Sequence, residues 1–516
     1  MMPLIKTKNA SEIHRRKQRW QRMTWVGVGL LAVYLLLLLP ERPAPRVPAA
    51  DRNPFTWSQT EVWSGLQQRF IEARHLDPAA RSNQFGQLLG ETRRWLTSMR
   101  QGETDDLRWL ELENNFFELS ARAAADPARL PEYAALAHDL RQWVKRQSAH
   151  WDLAATPARE RLYRLLYGGR MALEEVMLQN PEVATSLEAE QETEPSQTPS
   201  VVFRDITLHS GDILVSRGGA PTSALISRGN DYPGSFSHVS LLHVDEATGV
   251  AHIIQALIEQ GVVVTPLEEY ARDRKLRLMV LRPRADLPAL IADPLAPHRA
   301  ASLALREART RPAPYDFAMN YHNHSAFFCS EVVSAAYEAV GLRLWMGMSH
   351  ISSPTVAAWL SSVGVRHFET QEPADLEYDP QLRVVAERRE VPALWQAHLD
   401  DAVTDVMLEN APRGQPLPYS HLKLPFGRMA KAWSVVLNWF GSLGPIPQGM
   451  SATTALRVSK YNADHAAIKQ RLAMYASDFQ KAHGYSPPYW ELIRLATQAY
   501  GSYRASDPNC VTRSTH

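Results

Sequence analysis

The sequence predicts an α+β protein in which a mixed strand-and-helix domain sits between two helical regions, behind one N-terminal transmembrane helix. Three observations carry that prediction. An uncharged apolar run, Met23 to Leu39, follows a head rich in Lys and Arg. Apolar residues recur at helical spacing from Phe55 to about Gln179, and again after Glu390. Between them, residues 201–390 alternate short apolar runs with turn residues and helix signals.

Taken in order, residues 1–22 form a basic head with Lys6, Lys8, Arg15, Arg16, Lys17, Arg19 and Arg22. Residues 23–39 follow as the anchor, ended by Pro40 and close to the roughly 17–25 residues that a spanning helix needs. The basic head places that end in the cytoplasm and the bulk of the chain outside it. A signal peptide cleaved near Val47-Pro48-Ala49-Ala50 is the competing reading. Residues 40–54 are Pro-rich, and read as a stiff spacer holding the next part off the bilayer.

Residues 55–183 read as a helical bundle with stripes such as Trp63, Leu66, Phe70 and Ile71, then Leu107, Leu110, Phe117 and Leu119, then Leu162, Leu165, Leu166, Leu173 and Val176. Its tryptophans at 57, 63, 95, 109, 143 and 151 are expected to fill core. Residues 184–200, with Glu188, Glu190, Glu192, Glu194, Pro195 and Pro199, read as a solvated acidic linker. The C-terminal region, 391–516, is helical. Its segment Met429–Phe440 is apolar but too short to span, and reads as a buried helix, with interfacial membrane contact as the alternative.

Composition bounds the function. At 516 residues the chain is long enough for two or three domains, and 45% hydrophobic content allows large cores. A formal net charge of +1 gives no reason to expect nucleic acid. The two cysteines, Cys329 and Cys510, do not make a disulfide framework. Cys510 lies in a polar tail and reads as a dispensable thiol.

The chemistry concentrates at Phe327-Phe328-Cys329-Ser330-Glu331-Val332-Val333. From Cys329 the apolar spacing runs helically to a stop at Gly341, so the cysteine heads a helix, where the macrodipole favours thiolate. Two strand-like runs precede it, Gly211 to Val215 and His238 to Val244. A strand histidine facing a cysteine at a helix start is the pattern of a thiol hydrolase, and the Cys329 N–H is a ready oxyanion donor. Taken singly, each residue has a plainer reading, as core thiol and structural histidine. Tyr315-Asp316, candidate cleft residues together with Ser237, have the plainer reading of a turn after Pro312 and Pro314. His322 and His324 with Cys329 make a poor zinc set, so no metal and no cofactor is expected. Glu331 would complement the helix dipole, and Gly218-Gly219 lacks the Lys-Ser/Thr of a phosphate loop.

Several short motifs occur in one order: Gly211-Asp212-Ile213-Leu214, Ser223-Ala224-Leu225-Ile226, Ser237-His238-Val239, Ile254-Gln255-Ala256, Thr265-Pro266-Leu267, Tyr315-Asp316-Phe317 and Phe328-Cys329-Ser330-Glu331. The series resembles the YiiX/YebB-like family of permuted NlpC-type, papain-like cysteine hydrolases, over roughly a third of the chain. The resemblance implies a papain-like core over 201–390, with Cys329 as nucleophile, His238 as base and Gln255 as the group that orients the imidazole. Family members commonly carry Glu at that third place. His252 and Glu259 are next in line for it on the same stretch.

The expected protein is thus an exported cysteine hydrolase of an amide or ester, single-pass in a bacterial inner membrane, with its main domains periplasmic. Its expected partners are the membrane, through residues 23–39, and an envelope substrate, either a peptidoglycan peptide or a lipid. Protein partners are not indicated. A non-enzymatic, membrane-tethered scaffold or ligand-binding protein is the alternative.

Overall fold

The computed structural model describes residues 8–39, 41, 45–49, 53–56, 59–99, 106–184, 189–191 and 194–506. Lys6, Pro40, Trp57, Glu188, Glu192 and Cys510 lie outside the described residues, as do the side chains of Trp63 and Glu190. Lys8–Leu37 forms one helix, α1, so the helix runs back through the basic head instead of starting at Met23. From Arg15 to Leu37 it is long and apolar enough to cross a membrane by length and composition.

Seven further helices follow: Gln59–His75 (α2), Pro78–Ser98 (α3), Asp106–Ala124 (α4), Leu130–Ser148 (α5), Thr156–Tyr163 (α6), Gly169–Gln179 (α7) and Pro181–Ala184 (α8). Asp77 starts α3 by accepting from the N–H groups of Ala79 and Ala80, with Pro78 at the first helical position. Leu66, Phe70, Trp109, Phe117, Leu119, Trp143, Leu162, Leu165, Leu166, Leu173 and Val176 share one buried core, with Trp95 and Trp151 packed against it. Leu107 and Leu110 depart from the expected stripe and face solvent. The buried face of α4 carries Trp109, Leu112, Phe116 and Leu119, with Phe117 beside it.

The mixed region contains Ala189–Gln191 (β1), Ser200–Phe203 (β2), Ile206–His209 (β3), Ile213–Gly218 (β4), Pro221–Arg228 (α9), His238–Val244 (β5), Ala251–Leu257 (β6) and Gly261–Pro266 (β7). It continues with Leu267–Arg272 (α10), Lys275–Pro283 (β8), Pro288–Ala292 (α11), Ala296–Thr310 (α12), Cys329–Glu338 (α13), Ser349–His350 (β9), Pro354–Ser362 (α14), Glu369–Thr370 (β10), Asp375–Tyr378 (α15) and Leu382–Arg388 (β11). The seven-stranded sheet has the order β1-β11-β8-β4-β5-β6-β7 and is antiparallel throughout. One face carries Ile213, Val215, Val239, Leu241 and Met279 against Ala300 and Ala301 of α12 and Val333, Ala336 and Tyr337 of α13. The alternate residues Leu214, Leu242, Ile253 and Val280 pack on the other face with Leu267 and Tyr270 of α10.

Two segments expected to be linkers do more than link. Part of the acidic segment pairs with β11 as the edge strand β1, and Glu194 accepts from the Ala285 N–H at 2.7 Å. In the Pro-rich segment, Val47 bonds Arg366 O at 2.8 Å and bridges His367, and Phe55 N bonds Asp231 O at 2.8 Å. Val47 and Phe55 thus tie this stretch to the body at two points.

The chain ends with Val391–Glu409 (α16), Leu424–Trp439 (α17), Ala452–His483 (α18) and Tyr489–Ser506 (α19). Helices α16, α18 and α19 enclose a core of Leu399, Val403, Ile468, Leu472, Leu492 and Leu495. The apolar segment Met429–Phe440 is not the buried helix that its composition suggested. Trp433, Trp439 and Phe440 are 56%, 79% and 80% exposed.

Candidate active site

Strand β5 begins at His238 and packs beside α13, which begins at Cys329. The sequence dictates both starts. Gly234 and the buried Ser235–Ser237 run lead into β5, and Phe328 is in extended backbone immediately before α13. The side chain of Glu331 accepts from Phe328 N–H at 3.1 Å, capping the nucleophile helix. The backbone of Val239, the residue after His238, acts on the Cys329 thiol in the direction that favours thiolate. His238 and Cys329 thus each stand at the head of one of two elements that pack together.

The next strand supplies the third group. Gln255 Oε1 lies 2.8 Å from His238 Nε2, and Gln255 Nε2 donates to Thr265 Oγ1 of β7 at 3.2 Å. The amide oxygen is the end that faces the ring. Nε2 of His238 is consequently the protonated nitrogen, and Nδ1 is left unprotonated. His252 and Glu259 do not occupy this place. His252 pairs across the sheet with His243 and Pro266, further along β6.

The electrostatics reverse one expectation. Burial pushes the Cys329 thiol up to about 11, outweighing the Val239 backbone and the helix start. Burial likewise holds the His238 imidazole below its usual value, with the Gln255 bond acting in the opposite sense. The pair rests as neutral thiol and neutral imidazole, not as the thiolate that a helix N-terminus alone would favour.

Tyr315 is joined to Phe327 by a β-bridge, and its hydroxyl is pushed up by burial and by the neighbouring Cys329 and Glu372. Both oxygens of Asp316 are taken by backbone, from Ala318 N at 2.8 Å and Asn320 N at 2.7 Å, so it shapes the loop beside Tyr315. Ser237 is buried, with its N–H on Ser216 O at 2.9 Å. His324 stacks on Phe327, His322 lies against Tyr321, and no three His, Cys, Asp or Glu side chains converge as a metal set among the described residues.

Two residues near the site escaped the sequence reading. Thr265 anchors the Gln255 amide, and its place in the motif series was the available signal. Glu372 is buried, one of its oxygens has no hydrogen-bond partner, and burial pushes its carboxyl up to about 8. It acts electrostatically on both Cys329 and Tyr315. Gln371-Glu372-Pro373 carries no motif, so nothing in the sequence singled it out.

A cysteine heads a helix that packs on the strand begun by a histidine, and a side-chain amide bonds that histidine, with histidine before cysteine in the chain. Residues 207–386 match the model of the family described as permuted papain-like amidase enzymes, YaeF/YiiX, C92 family. The resemblance read from the ordered motifs is thereby confirmed for that segment. Among solved structures the chain is similar to one described as the metalloprotein yiiX from Escherichia coli O157:H7, at 21% identity and a TM-score of 0.28, covering 35% of this chain and 97% of that one. No curated protein matches the chain.

Proposed function

We propose that this chain is a membrane-anchored cysteine hydrolase that cleaves an amide or ester of the cell envelope, either a peptidoglycan peptide or a lipid. The observation that carries the reading is the 2.8 Å bond to Gln255 made by His238, at the head of the strand that packs against the Cys329 helix. As Cys329 attacks the carbonyl carbon, its proton passes to Nδ1 of His238, and the Cys329 backbone N–H faces the developing oxyanion. The imidazolium then protonates the leaving amine or alcohol, and a thioester remains on Cys329. Water, deprotonated by His238, releases the acid and restores the thiol. Helix α1 is the anchor, with the N-terminus cytoplasmic and the site outside.

The test is a thiol-directed acyl-enzyme probe on the full chain. Labelling of Cys329 should require His238 and vanish in Cys329→Ala. Labelling that persists in His238→Ala would leave the thiol without its base and remove the enzyme reading. A second reading, a ligand-binding envelope protein, draws on a cavity of about 680 Å³ away from Cys329. Phe70, Tyr167, Met171, Ile351 and Tyr489 line it, with Asn230, whose buried Nδ2 has no hydrogen-bond partner. Absence of probe labelling in the unmodified protein favours that reading.

A further inference from the structure

Large exposed apolar side chains of the described residues gather in two places, along α1 from Trp20 to Leu39 and along α17 with its flanks. On α17 they form a stripe. Leu422, Phe426, Met429, Trp433 and Phe440 all face solvent, with Trp439 and Leu443 beside them. The positions 422, 426, 429, 433 and 440 keep the three-and-four spacing of one helix face, with the partly exposed Val436 completing it. The face turned to the body carries Leu424 and Pro425 in the first turn and the small residues Gly427 and Ser434 beyond it. Gly427 meets Leu456 and Ala452 of α18, and buried Ser434 meets Gly444. This inverts the usual arrangement, in which the large apolar residues of a helix face the core.

The surroundings say what covers the stripe. Arg428 donates to the end carbonyls of α1, to Leu36 O at 3.3 Å and to Leu39 O, and Tyr34 Oη reaches Leu422 O at 3.5 Å. The stripe therefore begins where α1 ends. From Asn410 to Ala463 the chain has no Asp or Glu, and it has six cations: Arg413, Lys423, Arg428, Lys431, Arg457 and Lys460. Two copies meeting through such a face would oppose like charges, whereas anionic headgroups complement it. Tryptophan and phenylalanine at the border of an apolar face are what an aqueous–lipid boundary selects.

We infer that α17 is an in-plane membrane helix, its Phe426–Phe440 face seated in the outer surface of an anionic bilayer alongside the exit of α1. The docking itself takes from the proposed function only that α1 spans the membrane, and its consequence for substrate takes also that Cys329 is the nucleophile. Its consequence reaches the site. The loop after α17 is held by Lys431 to Pro447 O and Gln448 O, each at 2.7 Å, and its Gly449 abuts Phe317 and Tyr315 O. Seating α17 in the bilayer brings the Tyr315 side of the Cys329 site to headgroup level, so the bond attacked is one presented at the membrane surface.

The test uses the full chain, carrying Cys329→Ser and Cys510→Ser, reconstituted in vesicles of phosphatidylcholine with or without phosphatidylglycerol. An environment-sensitive fluorophore is placed at Trp433→Cys, at Val28→Cys within α1, and at Val250→Cys at the far end of the β5–β6 hairpin. Expected at Trp433→Cys is a blue shift and loss of most emission to lipids with the quencher near the headgroup, stronger with phosphatidylglycerol. Val28→Cys should be quenched from the chain ends and Val250→Cys by neither. Quenching at Val28→Cys with none at Trp433→Cys overturns the inference and leaves the anchor standing. Absence of quenching at Val28→Cys refutes the anchor, whereas quenching at Trp433→Cys still supports the docking helix. Equal quenching in both membranes overturns the anionic preference. Pyrene excimer emission at Trp433→Cys without lipid quenching would assign the face to a second copy, and overturn it.

Discussion

A neutral amide beside His238 stabilises an imidazolium less than a carboxylate does, and burial lowers the imidazole further. His238 must be neutral to accept the thiol proton. The acid limb of the pH–rate profile should therefore lie below the ordinary value of 6.5. The thiol, up at about 11, should set no limb near neutrality. Gln255→Glu adds a charge that favours the protonated ring, so its acid limb should move to higher pH. Gln255→Ala should keep its pH profile near the parent's while losing on the order of 10²-fold in rate through misorientation. Steady-state profiles of these variants beside Cys329→Ala check the assignment. An unchanged rate in Gln255→Ala would place the orienting group elsewhere.

Helix α13 carries Cys329, the proposed nucleophile, and its start is capped by Glu331. Losing the cap on Phe328 N–H in Glu331→Ala should cost about 1 kcal/mol. Glu331→Gln retains an acceptor and separates capping from charge. Burial raises Glu331 from 4.5 to about 8 in the folded protein. A raised carboxyl contributes stability that is full below pH 4.5 and is lost as pH rises through 8. Compared with Glu331→Gln, the parent should thus match at low pH and lose ground steadily between those two values. Urea midpoints of both proteins across that window measure the difference. A parent that gains on the variant with rising pH would mean that Glu331 acts as the dipole-complementing anion its position suggested.

At the scale of the whole molecule, buried ion pairs join the N-terminal helices to the sheet and to α16. Glu174 of α7 takes Arg277 of β8 at 2.6 Å and His398 of α16 at 2.8 Å. Arg277 also reaches Asp401, which holds Arg217 of β4 at 2.7 Å. Arg170 of α7 pairs with Glu377 and Glu387, and Arg159 of α6 with Asp375. Removing one partner strands a charge away from water, so Glu174→Ala should lower stability by about 3–5 kcal/mol. Because the pairs cross between regions, tryptophan fluorescence of the helices and protection of Cys329 should shift to the same lower urea midpoint. A shift seen by fluorescence alone would show that the helices unfold independently of the sheet.

The sequence determined whatever depends on short-range pattern. Helical spacing after Cys329, the strand from His238 to Val244 and the order of the motifs were sufficient for the papain-like segment. Tertiary structure decided the properties that depend on what surrounds a residue. Whether a thiol at a helix start is a thiolate turns on burial against dipole, and that burial needs the packing of α13 on β5, distant in sequence. Glu372 approaches Cys329 only once the chain between them has folded back, so no local pattern marked it. An apolar stripe at helical spacing reads the same whether it faces a core or a membrane. On α17 the choice was made by Gly427 and Ser434, whose small side chains let the opposite face pack closely and left the aromatic face outside.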